Sequence, residues 1–249
     1  MSRTFTDLHT HILPAVDDGA RNLESALKLL RWQWDHCVRR VALTPHFYPT
    51  RESLDAFIQR RQQGYSMLME GWDPATMPDL QLGAEVSFSP YLIQMDLRKL
   101  TIGGNDYLLL ELPDIGTPTH LEQVVKGMLM QGITPILAHI DRCMFLRQNP
   151  QRLFELVQMG ALAQLSTRAF EMRRDRQFAE ICLRNGLAHI IASDVHRLER
   201  GDPSLGEFGK KLTIESMNRA EEFARSVWDN TCPPAFGIRP INKGFFGYY

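Results

Sequence analysis

The sequence predicts an α/β fold, a parallel sheet with helices packed outside it, curled into a distorted β/α barrel. Three observations predict it. Strand-like and helix-like stretches alternate about seven times along the chain, the pattern of parallel strands joined by crossover helices. Histidine, aspartate or glutamate follows the end of nearly every strand-like stretch. The C-terminal rim of a barrel is where active sites assemble, and only a closed ring lets residues from so many strands converge. The 249 residues suit one such barrel, read as a single domain over 1–249 with no linker, repeat or low-complexity tract.

The elements follow in order. Phe5 to His11 is a short strand, and Ile12 to Gly19 a loop of proline, paired aspartates and glycine. Asn22 caps a helix running to about Cys37, with Leu23, Ala26, Leu27 and Leu30 on one face. Val41 to Thr44 is a strand ending at Pro45-His46. Glu52 to about Trp72 is a long helix. Leu80 to Ala84 is a strand ending at Glu85, and Pro90 to Leu100 a short helix and turn. Asp106 to Leu110 is a buried strand ending at Glu111. Thr119 to Glu122 fits a capping box that opens a helix to Gln131, stopped by Gly132. Thr134 to Ala138 is a strand ending at His139. A helix from Pro150 to Met159 ends at Gly160, and Ala161 to Leu165 is a strand. Asp175 caps a helix to Asn185, with Gly186 beyond, and His189 to Ser193 is the last strand, ending at Asp194-Val195-His196. A helix near Ile214 to Val227 precedes a Pro/Gly/aromatic tail, Cys232 to Tyr249, expected over the bottom of the barrel.

Bulk composition excludes several classes. Hydrophobic content of 44%, charged content of 23% and a net charge of −1 describe a soluble globular chain, with no bias toward nucleic acid. No apolar run reaches signal-peptide or transmembrane length, so no membrane insertion is expected. The four cysteines form no CxxC pair, which suits reduced thiols in a cytoplasm. The pattern of a cysteine phosphatase, Cys with Arg six residues on, is absent: Leu43, Asn149, Ala188 and Ile238 stand there instead.

The chemistry lies at the strand ends. His9 and His11 are two residues apart on a strand, where side chains share a face. With His46, Glu85, Glu111, His139, Asp194 and His196, and Asp17 or Asp18 in the first loop, they make a set of imidazoles and carboxylates without thiolate. Five of the eight histidines fall in it; His36, His120 and His189 do not, and His189 reads as a hydrogen-bonded packing residue. Such a set is too rich for one ion and suits two or three manganese, iron or zinc ions, which make hydroxide from water and clamp the oxygens of a phosphoryl displacement.

Asp7-x-His9-x-His11, Pro45-His46, Glu85, His139 and Asp194-x-His196 resemble the polymerase and histidinol phosphatase (PHP) superfamily. Asp-Leu-His-Thr-His with Val-Asp-Asp-Gly (7–19), Gly-Ala-Glu-Val (83–86), Leu-Glu-Leu (110–112), the stretch from Gly132 to Arg142 and Ala-Ser-Asp-Val-His (192–196) are similar to one branch of it. That branch is the manganese-dependent tyrosine-protein phosphatases encoded with bacterial capsule and exopolysaccharide genes. The resemblance implies a distorted seven-stranded, TIM-like barrel with a trinuclear centre. Glu85 would bridge; His9, His11 and Asp194 would complete the first site, Glu111 and His139 the second, and Asp18, His46 and His196 the third. The ions would be manganese, with iron or zinc as alternatives. Arg142 resembles the phosphate-binding arginine, its alternative being a surface salt bridge, and Arg200, with Arg197 as the alternative, a second substrate arginine. Thr167-Arg168 and the Phe/Tyr-rich tail depart from the pattern.

The implied activity is hydrolysis of phosphotyrosine by direct attack of a metal-bound hydroxide, regulating polysaccharide synthesis through a bacterial tyrosine kinase with a tyrosine-rich tail. The competing enzyme reading is a small-molecule phosphoesterase such as histidinol phosphatase, against which Glu111 argues, since that branch usually carries histidine near this place. The non-enzymatic reading is a metal-stabilised binding module, which lost ligand positions would mark; none is lost.

Overall fold

The structure, a computed structural model, describes residues 3–171, 173–201, 203–208, 212–235, 237–244 and 247–248. Strands β1 (Phe5–Thr10), β2 (Val38–Leu43), β3 (His46–Phe47), β4 (Asp79–Leu82), β5 (Glu85–Ser87), β6 (Tyr107–Glu111), β7 (Thr134–Leu137), β8 (Leu162–Ser166) and β9 (Ile190–Ala192) all pair in parallel. They form two sheets, β1-β2-β4 and β3-β5-β6-β7-β8-β9. The pairing confirms the α/β class.

The sequence reading gave one strand each to Val41–Thr44 and Leu80–Ala84; the structure differs. β2 and β3 are parted at Thr44-Pro45, and β4 and β5 at Gly83-Ala84. Proline has no N–H to donate to a ladder, which is why the first break falls there. At the second, Arg61 reaches in from a helix and takes the Gly83 carbonyl at 2.7 Å. Pairing continues across both gaps: Gly83 N donates to Leu43 O (2.9 Å) and Glu85 N to Pro45 O (3.1 Å). At the other edge β1 meets the chain after β9 through a parallel bridge, Thr10 to Val195. Asp194 N donates to His9 O (3.0 Å) and His11 N to Val195 O (2.9 Å).

The helices are α1 (Leu23–Asp35), α2 (Leu54–Met69), α3 (Leu121–Met130), α4 (Met144–Gln148), α5 (Pro150–Gln158), α6 (Arg173–Arg184), α7 (Leu205–Phe208) and α8 (Ile214–Trp228). Asn22 caps α1 as expected, in a box with Ser25; Ser53 and Thr213 cap α2 and α8. The Thr119 box is not formed. His120 is the N-cap in left-handed backbone, and Glu122 turns to Arg152, accepting from its Nε and Nη2 at 2.6 and 3.0 Å. Asp175 lies inside the first turn of α6, paired with Arg147 at 2.7 Å, and is not its cap. Pro90–Leu100 folds as two short 3-10 turns.

Two apolar clusters set the layers. The larger packs helices on the outer faces of the strands. The smaller gathers Leu8, Ala42, Leu109, Ile136, Leu162 and Ile190, from six different strands, with Phe223, Ala224 and Val227 of α8 beneath. That helix is pinned under the N-terminal strand ends: Glu221 accepts from Thr6 N and Oγ1, both at 2.9 Å, and Asn105 Nδ2 donates to Val227 O at 2.7 Å. The tail crosses the same end, with Ile241 buried and Arg239 N bonded to Asn185 O (2.9 Å), as expected. Phe245, Phe246 and Tyr249 lie outside the described residues. Among the described residues no helix is long and apolar enough to cross a membrane.

Candidate metal centre

At the opposite, C-terminal ends of the strands the predicted residues meet. His9 comes from the last turn of β1 and His11 follows it; His46 and Glu85 open β3 and β5, and Glu111 ends β6. His139, Asp194 and His196 stand just beyond β7 and β9. His139 (φ 28°) and Asp194 (φ 54°) hold left-handed backbone, which costs a non-glycine residue about 1–3 kcal/mol and is kept only where the surroundings enforce it.

The innermost atoms are crowded. His9 Nε2 lies 3.1 Å from His11 Nε2, 3.2 Å from Glu85 Oε2 and 3.3 Å from Asp194 Oδ1. His11 Nε2 is 3.3 Å from the same two oxygens. His9 Nδ1 faces Gln164 Oε1 (3.2 Å) and His11 Nδ1 faces Asp17 Oδ2 (2.7 Å). Both partners are acceptors, so both Nδ1 atoms carry protons and both Nε2 atoms offer lone pairs. With both rings neutral, four lone-pair atoms face one another and repel unless a proton or a metal ion lies among them. Donors about 2.1 Å from one ion sit about 3.0–3.4 Å apart, the spacing of the two histidine nitrogens from each other and from each carboxylate oxygen.

Around this core, His139 Nε2 lies 2.7 Å from Glu85 Oε1 and 4.0 Å from Glu111 Oε1. His46 Nδ1 sits 2.9 Å from Glu85 Oε2 without hydrogen-bond geometry, and neither atom has another hydrogen-bond partner. Asp18 Oδ1 is 3.3 Å from His196 Nε2 and 3.6 Å from His46 Nε2. His11, Asp18, His46 and His196 form one possible ion-holding group, His9, His11 and Glu85 a second, and His46, Glu85 and Glu111 a third. The donor set therefore fits more than one divalent ion sharing Glu85.

Charge says the same. Burial would raise Glu85, yet His9, His11, His139 and His46 hold it well below the ordinary carboxylate range. Asp194 is buried too, but His9, His11 and Arg142 hold it low. Burial and the Glu85 charge raise Glu111. Glu85 and Asp194 are thus held as anions among the histidines.

Arg142 stands at the rim, about a third exposed, and donates through Nη2 to Asp194 Oδ2. Asp194 thus turns one oxygen to the histidines and the other to the arginine. Arg197 donates to the carbonyls of Asp18 (2.7 Å) and Gly19 (3.3 Å), bracing the Asp18 loop. The side chain of Arg200 lies outside the described residues.

Sequence reasoning missed the residues behind the ligands. Asp17 faces His11 from outside while Asp18 faces the cluster. Asp7 accepts from Gln33 Nε2 (2.7 Å) and Ser193 N (3.1 Å), tying β1 to α1 and to the segment after β9. Gln164 was signalled only as a lone polar residue in the apolar run Ala161–Leu165. A cleft of about 500 Å³ opens from Glu111 past Phe88, Pro90 and Pro113, and one of about 270 Å³ lies beside His196, edged by Arg21, Lys28 and Arg197. A groove of about 990 Å³ between α1 and α2 touches none of these residues.

Comparison with known proteins bears on the fold and the family. The fold matches a chain from crystal structures of YwqE from Bacillus subtilis and CpsB from Streptococcus pneumoniae, described as unique metal-dependent tyrosine phosphatases. The TM-score is 0.84 at 23% identity, over 96% of this chain and 100% of that one. In sequence the chain is 28% identical to the tyrosine-protein phosphatase YwqE of Bacillus subtilis (strain 168), over 98% of this chain and 99% of the relative. It is 30% identical to the putative tyrosine-protein phosphatase CapC of Staphylococcus aureus, over 77% of each chain. The family model for capsular polysaccharide synthesis, CpsB/CapC, matches residues 5–230, and the chain belongs to that family.

Proposed function

We propose that this protein is a metal-dependent protein-tyrosine phosphatase, a phosphoric monoester hydrolase acting in capsule or exopolysaccharide synthesis. The observation that carries the reading is the convergence of His9, His11, Asp18, His46, Glu85, Glu111, His139, Asp194 and His196 on one rim, in a chain whose relatives are named tyrosine-protein phosphatases.

Three divalent ions, manganese with iron or zinc as alternatives, would be held in the order that the resemblance implies: His9, His11 and Asp194; Glu111 and His139; Asp18, His46 and His196; with Glu85 shared. Bound there, they would supply Lewis acidity, lowering the pKa of water and offsetting charge on the phosphoryl oxygens. Arg142 orients the phosphate through the guanidinium edge that Asp194 leaves open, a fork suited to two phosphoryl oxygens. Arg200 is the second substrate arginine of this proposal. Water attacks directly: Cys143 follows Arg142, but burial and neighbouring carboxylates push its thiol far above the range of a thiolate nucleophile. The clefts beside Glu111 and His196 leave room for peptide on either side of a phosphotyrosine.

The scaffold is, on this reading, a single domain with a distorted seven-stranded barrel. Counting β2 with β3 and β4 with β5 as interrupted strands reduces nine to seven, and the Thr10–Val195 bridge supports closure. The substrate is a phosphotyrosine protein, with a bacterial tyrosine kinase bearing a tyrosine-rich tail as its source, in the cytoplasm.

The test is metal content together with phosphotyrosine-peptide hydrolysis, before and after chelation and manganese add-back. Two to three ions per chain, loss of turnover on chelation and its return with manganese are expected, with turnover abolished in His139→Ala. Metal without phosphotyrosine turnover would turn the assignment to a small phosphoester; absence of metal would overturn it.

A further inference from the structure

Resting on the reading of the cluster as a metal centre, we propose that Gln164 and Asp17 are positioning residues that preset one ion position. It is the position at His9, His11, Glu85 and Asp194, and it fills first and empties last.

Gln164 is buried and its amide cannot turn over. Nε2 donates to the Leu165 carbonyl at 2.9 Å, and Oε1 accepts from the His139 backbone N–H at 2.9 Å. A reversed amide would set N–H against N–H and oxygen against oxygen. The oxygen is thus the end that meets His9 Nδ1 at 3.2 Å, and that nitrogen keeps its proton. His9 can then offer only Nε2 to the cluster. The same carbonyl oxygen serves the His9 ring and the His139 backbone, so one side chain sets two ligands from different strands.

Asp17 does for His11 what Gln164 does for His9. Its Oδ2 accepts from His11 Nδ1 (2.7 Å) and from His46 N (3.1 Å), while Oδ1 accepts from Gly19 N (2.9 Å). The ring is locked with Nε2 inward, and the loop that presents Asp18 is fastened to it. Histidines oriented by an outer acceptor bind metal about 10–100-fold more tightly than those without one.

The other positions lack this preparation. His139 Nδ1 has no hydrogen-bond partner. Asp18 is 54% exposed at its side chain, and of the rings near it besides His11 only His196 has an outer partner, the Asp194 carbonyl at 2.9 Å. The inner position has four donor atoms already within 3.3 Å of His9 Nε2, counting that atom, and both its rings are set; the outer one must organise on binding.

Manganese-loaded protein is dialysed against rising concentrations of chelator and the retained manganese counted. Wild type is expected to lose ions in steps, keeping the last at concentrations that strip the others. Gln164→Leu should release that last ion at about 10–100-fold lower chelator. Asp17→Asn should shift the same step, and carries the test if Gln164→Leu does not fold. His46→Ala should alter an earlier step only. Identical last steps in wild type, Gln164→Leu and Asp17→Asn, with manganese bound in all three, would overturn the positioning role. A wild type that binds no manganese would overturn the metal centre itself.

Discussion

His189 and the histidines of the rim show what surroundings do to one side chain. His189 lies at the opposite end of the strands, buried, accepting from Ala163 N at 3.0 Å and edging onto Phe223 with ring centroids 5.0 Å apart. Burial pushes it down to about 4. Its folded pKa is below its unfolded one, so the unfolded chain binds the extra proton between about pH 4 and 6.5 and stability falls as pH drops through that window. Relative to His189→Gln, wild type should lose up to about 3 kcal/mol there, read from urea unfolding at pH 7 and pH 4; a parallel pH dependence of the two would remove His189 as the cause. Residue type and strand position were enough to separate this histidine from the ligands. They were not enough to separate Asp17 from Asp18. Two adjacent carboxylates are chemically alike, and which one faces the ions depends on how the loop curls, which no residue type records. Gln164 was hidden for a similar reason: its partners arrive from two other strands.

At the scale of elements that loop is decided by a glycine. Ala20 N bonds back to His11 O at 3.0 Å, folding the loop onto its own strand. A Cβ on Gly19 would lie 1.9 Å from that carbonyl oxygen. Gly19→Ala should therefore lift the loop, part Asp17 from His11 and carry Asp18 away from His196. The expected outcome is a loss of about 1–3 kcal/mol in stability and weaker manganese retention, checked by thermal melting and metal content. The long helix α1 was legible from its polar cap because a side-chain oxygen meets the first free N–H groups whatever the tertiary context. The short helices α4 and α7 were not, since four or five residues give too little periodicity. The Thr119 box failed because Arg152, distant in sequence, offered Glu122 a stronger partner than the helix terminus did. The interruptions between β2 and β3 and between β4 and β5 also escaped notice, although Pro45 and Gly83 mark them in hindsight of the fold.

For the molecule as a whole, the cluster joins residues from the ends of most strands, so ions bound there cross-link the rim. A ligand that binds only the folded state at about 100 times its Kd adds about 2.7 kcal/mol. For a chain of this size that should raise Tm by about 5–10 °C when manganese is added to chelated protein, measured by differential scanning calorimetry. An unchanged Tm would mean that the ligands do not bind ions in the folded state. The alternation of strand and helix made the α/β architecture legible because each apolar stretch can be buried only against its neighbours; the particular bridge between Thr10 and Val195 was not, because it joins residues far apart in sequence. That contact has a kinetic meaning. The inner ion position takes His9 and His11 from the start of the chain and Asp194 from beyond β9, and these meet only when Thr10 bridges Val195. During synthesis or refolding the complete set of donors cannot exist until the last strand has docked. Capture of an ion by all four donors would then be the closing event of folding, and a chain cut short before β9 would lack the Asp194 oxygen that completes the set.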